Sequence, residues 1–412
     1  MSDSHNATAF EQRARTLRSE FLGTERWAYF DVAARGLLPR CSRDAVDAYF
    51  ETLTMDGGDK AAMFATVTSA RSRFAQLIGA APHEIAITKN VSEGINIIAT
   101  AFPWKRGDKV VLCTEREHPN NIYIWMHLAK RYGIEISEIE SRNGYIHVED
   151  VIDAFDENTK MVTVSSVSFH PGLRVDLDTL AKACAERNIF LLVDGVQSAG
   201  IQHLDVSKTP VDAIAVSTQK GLLGLYGMGF LYCRNDWAER LEPVYLARFG
   251  VDLGDAHEAA VGSDSYRLMK GALRFDLGNY NFAGATAVDR SLQMILELGT
   301  EAIEKHVVSV TKRLAKGFAE YGLPVIGWPY GPHFVNMVTL SPDDDNPEFN
   351  MRLAEALTKE GIKFSIRRNA LRFSSHFYNT HDEAERVIDT VRRFLRINAV
   401  RHTRPDVLTK GS

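Results

Sequence analysis

Two short runs gather residue types that could do chemistry. Asp194 ends the apolar run FLLVDG (190–195), with Gln197 three residues further on. Lys220 follows the apolar run DAIAVST (212–218), with Ser217, Thr218 and Gln219 before it and Gly221, Gly224, Gly227 and Gly229 after it. An aspartate at a strand end often only caps the next turn. A lysine at a second strand end, wrapped in glycines, is harder to explain as a solvated charge. An amine in apolar surroundings is held less strongly protonated and becomes a nucleophile able to form a Schiff base with a carbonyl.

The elements that must position these groups are short apolar strands alternating with helices. EIAITK (84–89), KVVLCT (109–114), MVTVSSV (161–167), FLLVDGV (190–196), DAIAVST (212–218) and GFLYC (229–233) read as buried strands, and LDTLAKACAERN (177–188) as an amphipathic helix between two of them. Buried strands separated by helices predict an α/β fold with a mostly parallel sheet, whose ligands bind beyond the carboxyl ends of the strands. From about Glu301 the pattern changes: a helix at 301–322, a strand at 334–340, a helix at 349–361, a strand at 370–375 and a helix at 382–395 predict a smaller α+β domain. The expected organisation is an N-terminal arm or helix at 1–25, a large domain at 26–299, a small domain at 300–400 and a tail at 401–412.

Composition narrows the partners. A net charge of −5 with 25% charged and 45% hydrophobic residues is an ordinary globular balance and gives nucleic acid no basic surface to bind. No apolar run approaches the ~20 residues of a membrane span, and the polar start MSDSHNATAFEQRAR has no signal-like apolar region. The four cysteines, Cys41, Cys113, Cys184 and Cys233, are far apart without metal or disulfide spacing, so a reducing cytoplasmic setting and no metal are expected. The glycines after Lys220 do not form G-x-G-x-x-G, which argues against a nicotinamide-binding Rossmann fold.

Together D-G-V-Q and S-T-Q-K-G resemble the cofactor site of the class V aminotransferases, pyridoxal 5′-phosphate (PLP) enzymes of fold-type I. The likeness covers nearly the whole chain through YFDVAARG (29–36), NVSEGIN (90–96), EHPNNIYIW (117–125) and LRFSSHFYNT (371–380). It implies a large domain with a seven-stranded, mostly parallel sheet. It also implies that Lys220 carries PLP as a Schiff base and shuttles the α-proton of an amino acid. Asp194 would hold the pyridine nitrogen protonated, Gln197 would bond the ring's phenolic oxygen, and His118 would stack on the ring. Ser92, backbone N–H groups from Val91 onward, Ser217 and Gln219 would hold the phosphate, as helix N-termini suit anions. Arg372 would grip the substrate carboxylate as a bidentate fork, with Ala34 and Phe169 on the substrate side. Asn279 stands where the family often has a threonine reaching the neighbouring subunit's phosphate, which implies a homodimer with its active site at the interface.

Two departures bear on the reaction. Gln219 replaces the histidine that many desulfurases have before the lysine, and SIRRNALRF (365–373) lacks the persulfide-forming cysteine expected shortly before the carboxylate arginine. The segment SSVSFHPGLR (165–174) carries Phe169 and His170 where the family commonly has histidine and asparagine. The expected function is therefore a PLP enzyme acting on a small α-amino acid, a C–S (β-elimination) lyase. The alternatives are an epimerase like isopenicillin N epimerase, an aminotransferase, or a non-catalytic scaffold with this fold.

Overall fold

A computed structural model describes residues 2–254, 266–343 and 346–402; from residue 403 the expected tail lies outside the described residues. Helices α1 (Arg40–Asp56) and α2 (Lys60–Ile78) precede the sheet. Asp59 caps α2 by accepting the Ala61 and Ala62 N–H groups at 2.8 and 3.2 Å, satisfying donors that the first turn leaves unpaired. There follow β1 (Ile85–Thr88), α3 (Val91–Ala101), β2 (Lys109–Leu112), β3 (Glu135–Glu138), β4 (Thr159–Ser165), α4 (Leu177–Glu186), β5 (Phe190–Asp194), β6 (Ala213–Ser217) and β7 (Gly229–Cys233). The spatial order is β1-β7-β6-β5-β4-β2-β3, and β7 alone runs antiparallel to its neighbours. The fold is α/β, as expected. Edge strand β3 was not foreseen, because EISE is largely exposed and shows no apolar run.

Strand alternation splits the side chains of this sheet between two cores. Val162, Val164, Leu191, Val193, Ile214, Val216 and Phe230 face one side, where α2 and α5 (Phe282–Leu298) cover them. The Phe74 ring of α2 stacks on Phe230 at 4.4 Å, an arrangement worth ~1 kcal/mol beyond its area. Met161, Phe190, Leu192, Ala213, Ala215 and Leu231 face the other side, under α3. There Gly94 allows close approach: a Cβ at that position would lie 2.8 Å from the Ala215 Cβ. The missing side chain seats α3 directly on β6 and holds its N-terminus at the sheet's carboxyl edge.

The C-terminal part comprises α6 (Thr300–Glu320), β8 (Met337–Leu340), α7 (Phe349–Lys359), β9 (Ser365–Arg367), β10 (Ala370–Ser374) and α8 (His381–His402). Strands β8, β10 and β9 make an antiparallel sheet, and Leu314, Phe318, Leu353, Leu371, Phe373 and Val387 form its core. Residues Ala28–Tyr29 pair in parallel with Ile362–Lys363, and Asp31 bridges Ser374 of β10, tying the segment 29–36 to this sheet. Among the described residues, no helix is long and apolar enough to cross a membrane.

Candidate active site

Three adjacent strands end at one edge and deliver Ser165, Asp194 and Ser217 there as the last residues of β4, β5 and β6. Ser165 lies in register with Asp194, and Asp194 with Ala215. Beyond that edge is a cavity of about 330 Å³ lined by Lys220, Asp194, Gln197, Ser217, Gln219, Ser92, Val91, His118, Phe169 and Ala34. Ten of the twelve residues expected from sequence therefore line one space. Asn90, Asn120, Ser165, Val196 and the exposed Tyr226 complete the wall.

Lys220 occupies the turn after β6, and its Nζ makes no hydrogen bond or ion pair to a described residue. Burial pushes its amine down to about 8; the Asp194 carboxylate pulls it back up, while Arg372 and Arg367 press it lower. Asp194 is buried and held toward its neutral form by that burial, against the Val196 N–H it accepts at 3.0 Å and the nearby Lys220 charge. Each charge offsets part of the other's desolvation. The segment 29–36 packs on the lysine turn: the Gly36 N–H donates to the Gln219 carbonyl at 2.9 Å, and a Cβ at position 36 would lie 2.4 Å from the Lys220 carbonyl oxygen. Gln197 Nε2 donates to the Ala33 carbonyl at 3.2 Å, so the amide expected to reach a ligand also fastens this segment.

At the opposite wall Asn90 caps α3 by accepting the Glu93 N–H at 3.0 Å. The Val91 N–H donates to Ser217 Oγ at 2.8 Å, which joins the helix start to the end of β6 and leaves the Ser217 hydroxyl hydrogen available. His118 accepts the Asn120 N–H through Nδ1 at 3.2 Å, and its ring meets Phe169 edge-on at 5.2 Å. Burial, with the Lys220 charge, keeps the imidazole below its ordinary range and so neutral near pH 7.

Two expected residues stand apart from the cavity wall. Arg372, on β10, is 1% exposed; its Nη1 donates to the Phe169 carbonyl and its Nε to Ser365 Oγ at 3.2 Å. Asn279 is exposed in a turn at φ 47°. Two supporting residues were not singled out in the sequence. Glu117 is buried behind His118 and accepts from Ser165 N–H at 2.6 Å, Ser165 Oγ at 2.7 Å and Asn121 Nδ2 at 2.8 Å. Burial first, and then the Asp194 charge, raise it to about 7. His376 is fully buried, accepts the Phe377 N–H at Nδ1 and meets the Gly221 carbonyl from Nε2 at 2.8 Å, bracing the glycines after Lys220. Their positions in EHPNN and SSHFYNT carried the only signal.

The donor set fits PLP: an unpartnered amine for the aldehyde, a buried carboxylate for a ring nitrogen, an aromatic ring at the wall, and a helix start with Ser92 and Ser217 for a phosphate.

A family model described as Aminotransferase class-V matches residues 28–387. A probable cysteine desulfurase of Pyrococcus abyssi is 29% identical over 391 residues, covering 90% of this chain and 94% of that protein. An uncharacterized aminotransferase of Bacillus subtilis is 30% identical over 351 residues, covering 84% and 89%. Among solved structures, the apo cysteine desulfurase of Thermococcus onnurineus NA1 superposes with a TM-score of 0.82 at 25% identity, covering 93% of this chain and 98% of that one.

Proposed function

The chain belongs to the aminotransferase class-V family and is a PLP-dependent enzyme of fold-type I; from that premise we propose that it cleaves the C–S bond of an S-substituted cysteine by β-elimination. The observation that carries this choice over persulfide transfer is the hairpin β9–β10. It closes through only Arg368 and Asn369 and holds no cysteine. None of the four cysteines lines the cavity among the described residues. Cys113, Cys184 and Cys233 are buried in the cores, and burial pushes the Cys113 and Cys184 thiols up to about 12, far from the thiolate a nucleophile needs. Cys41 is half-buried, and burial and Glu20 raise its thiol too.

Bound in the cavity, the cofactor supplies an electron sink conjugated to the substrate's Cα. Lys220 would hold the cofactor's aldehyde carbon, and its Nζ would take the Cα proton of the substrate. Asp194 would favour a proton on the ring nitrogen, and His118 would cover the ring. Ser92, Ser217, Gln219 and the Val91 turn would hold the phosphate, and Gln197 would address the phenolic oxygen. Arg372, bonded to the Phe169 carbonyl behind the wall, would receive the α-carboxylate, with Ala34 and Phe169 on the substrate side. The net reaction takes the S-substituted cysteine and one water to pyruvate, ammonium and a thiol, with the C–S electron pair leaving on sulfur. The active unit we propose is a homodimer in which the exposed Asn279 serves the neighbouring site.

The test is to supply S-substituted cysteines in D₂O. Equal yields of pyruvate, ammonium and thiol, with no persulfide on any cysteine, are expected. Persulfide on Cys113, Cα deuteration with inversion and no elimination, or turnover that needs a keto acid would each overturn the lyase in favour of a desulfurase, an epimerase or an aminotransferase. A monomer that keeps cofactor and activity in light scattering would remove the role of Asn279.

A further inference from the structure

The hairpin that lacks a cysteine carries arginines instead. Strand β9 pairs antiparallel with β10, with Arg367 opposite Ala370, so Arg368 and Asn369 alone form the turn. Both have positive φ, 51° and 62°, the geometry of a two-residue hairpin turn that asparagine and glycine adopt most cheaply. An arginine there is disfavoured by ~1 kcal/mol of backbone strain, a cost that persists where a side chain has a task. The Arg368 guanidinium lies over the Phe169 ring, 5.8 Å from its centroid. Phe169 in turn meets His118 across the cavity wall. Arg372 donates to the carbonyl of the same Phe169. Two guanidinium groups thus meet one wall residue, and a third, Arg367, adjoins Arg368 in the same hairpin.

Little negative charge answers them. Arg367 donates only to the Ile366 carbonyl, and Arg368 makes no hydrogen bond or ion pair to a described residue. Arg116, which also faces His170, is paired with Glu115 at 2.9 Å. Glu117 spends its oxygens on Ser165 and Asn121. Asp31, buried with Oδ1 unpartnered, is the carboxylate whose field reaches Arg372 and Arg367. A substrate α-carboxylate on Arg372 leaves the two turn arginines, Arg367 and Arg368, without a carboxylate partner of their own.

We propose that Arg367 and Arg368 form a second anion subsite beside Phe169, so that the substrate is an amino acid whose side chain ends in a carboxylate. This rests on the reading of the cavity as an amino-acid site and, for the lyase, names an S-substituent that bears an acid. The test uses pairs of equal shape and different charge on the cofactor-loaded enzyme: S-carboxymethyl-cysteine against S-carbamoylmethyl-cysteine, and glutamate against glutamine. Dissociation constants come from calorimetry. The acid of each pair should bind about tenfold tighter or better, as a charge-assisted bidentate contact allows, and the preference should shrink with added salt. Arg368→Gly, which suits the turn's φ, and Arg367→Gln should each reduce it, and the double variant should abolish it. Equal affinities within the pairs, or a preference that survives the double variant, would overturn the subsite. Acid-selective binding without thiol release would leave the subsite standing and remove the lyase; thiol release without selectivity would do the reverse.

Discussion

Gly36→Ala should uncouple the substrate-side segment from the lysine turn. The added Cβ would sit 2.4 Å from the Lys220 carbonyl oxygen and 2.7 Å from Leu223 Cδ2, whereas ordinary contact begins near 3.4 Å. The leucine can rotate away, but the carbonyl belongs to the backbone, so the two segments must part by about 1 Å. Overpacking of this kind is destabilising by roughly 1–3 kcal/mol. Loss of the 2.9 Å bond from Gly36 N–H to the Gln219 carbonyl adds ~1 kcal/mol. The sum is roughly 2–4 kcal/mol, within what a folded enzyme of this size tolerates. Its functional effect should be larger, since the displacement falls between Ala34 on one wall and Lys220 on the other. A misplacement of ~1 Å can lower a rate about a hundredfold. The assay is kcat/KM for pyruvate release, read beside cofactor content and the thermal midpoint. We expect a folded, cofactor-bearing protein with a lowered midpoint and kcat/KM down by about two orders of magnitude. A kcat/KM within threefold of wild type would refute the tight coupling of these segments.

Capture of cofactor by Lys220 in the apoprotein requires the neutral amine. With the amine held near 8, the capture rate should rise with pH to a plateau with a midpoint near 8, followed by absorbance; a midpoint above 10 would contradict its burial. Asp194→Asn removes the charge that favours the protonated amine, so that midpoint should move lower. Asp276→Ala should strand Arg71, now paired at 2.6 Å in the interior, and destabilise the fold by about 3–5 kcal/mol in denaturant unfolding. It also frees the Ile87 N–H and the Tyr280 hydroxyl that Asp276 accepts at 2.8 and 2.7 Å. Arg372→Lys should raise KM with cofactor retained, because an ammonium cannot hold the Phe169 carbonyl, Ser365 and a carboxylate in one fork; an unchanged KM would point to a substrate without that carboxylate.

Sequence alone was enough to place the strands that carry Ser165, Asp194 and Ser217, because apolar runs bounded by polar residues and glycine are local signals of burial. It also singled out Lys220, since an amine between a buried strand and four glycines has few structural uses. What it could not decide was which distant segments meet. The edge strand Glu135–Glu138 is exposed and β9 is only three residues long, so neither leaves an apolar pattern to read. The arginine turn drew notice for the cysteine it lacks, and only the folded chain stacks Arg368 on Phe169, whose sequence position is far from it. Glu117 looks like any loop acid until Ser165 and Asn121 close around it. Periodicity reports whether a side chain is buried; what it is buried against is decided by the strand order and by the close approaches that Gly36 and Gly94 permit.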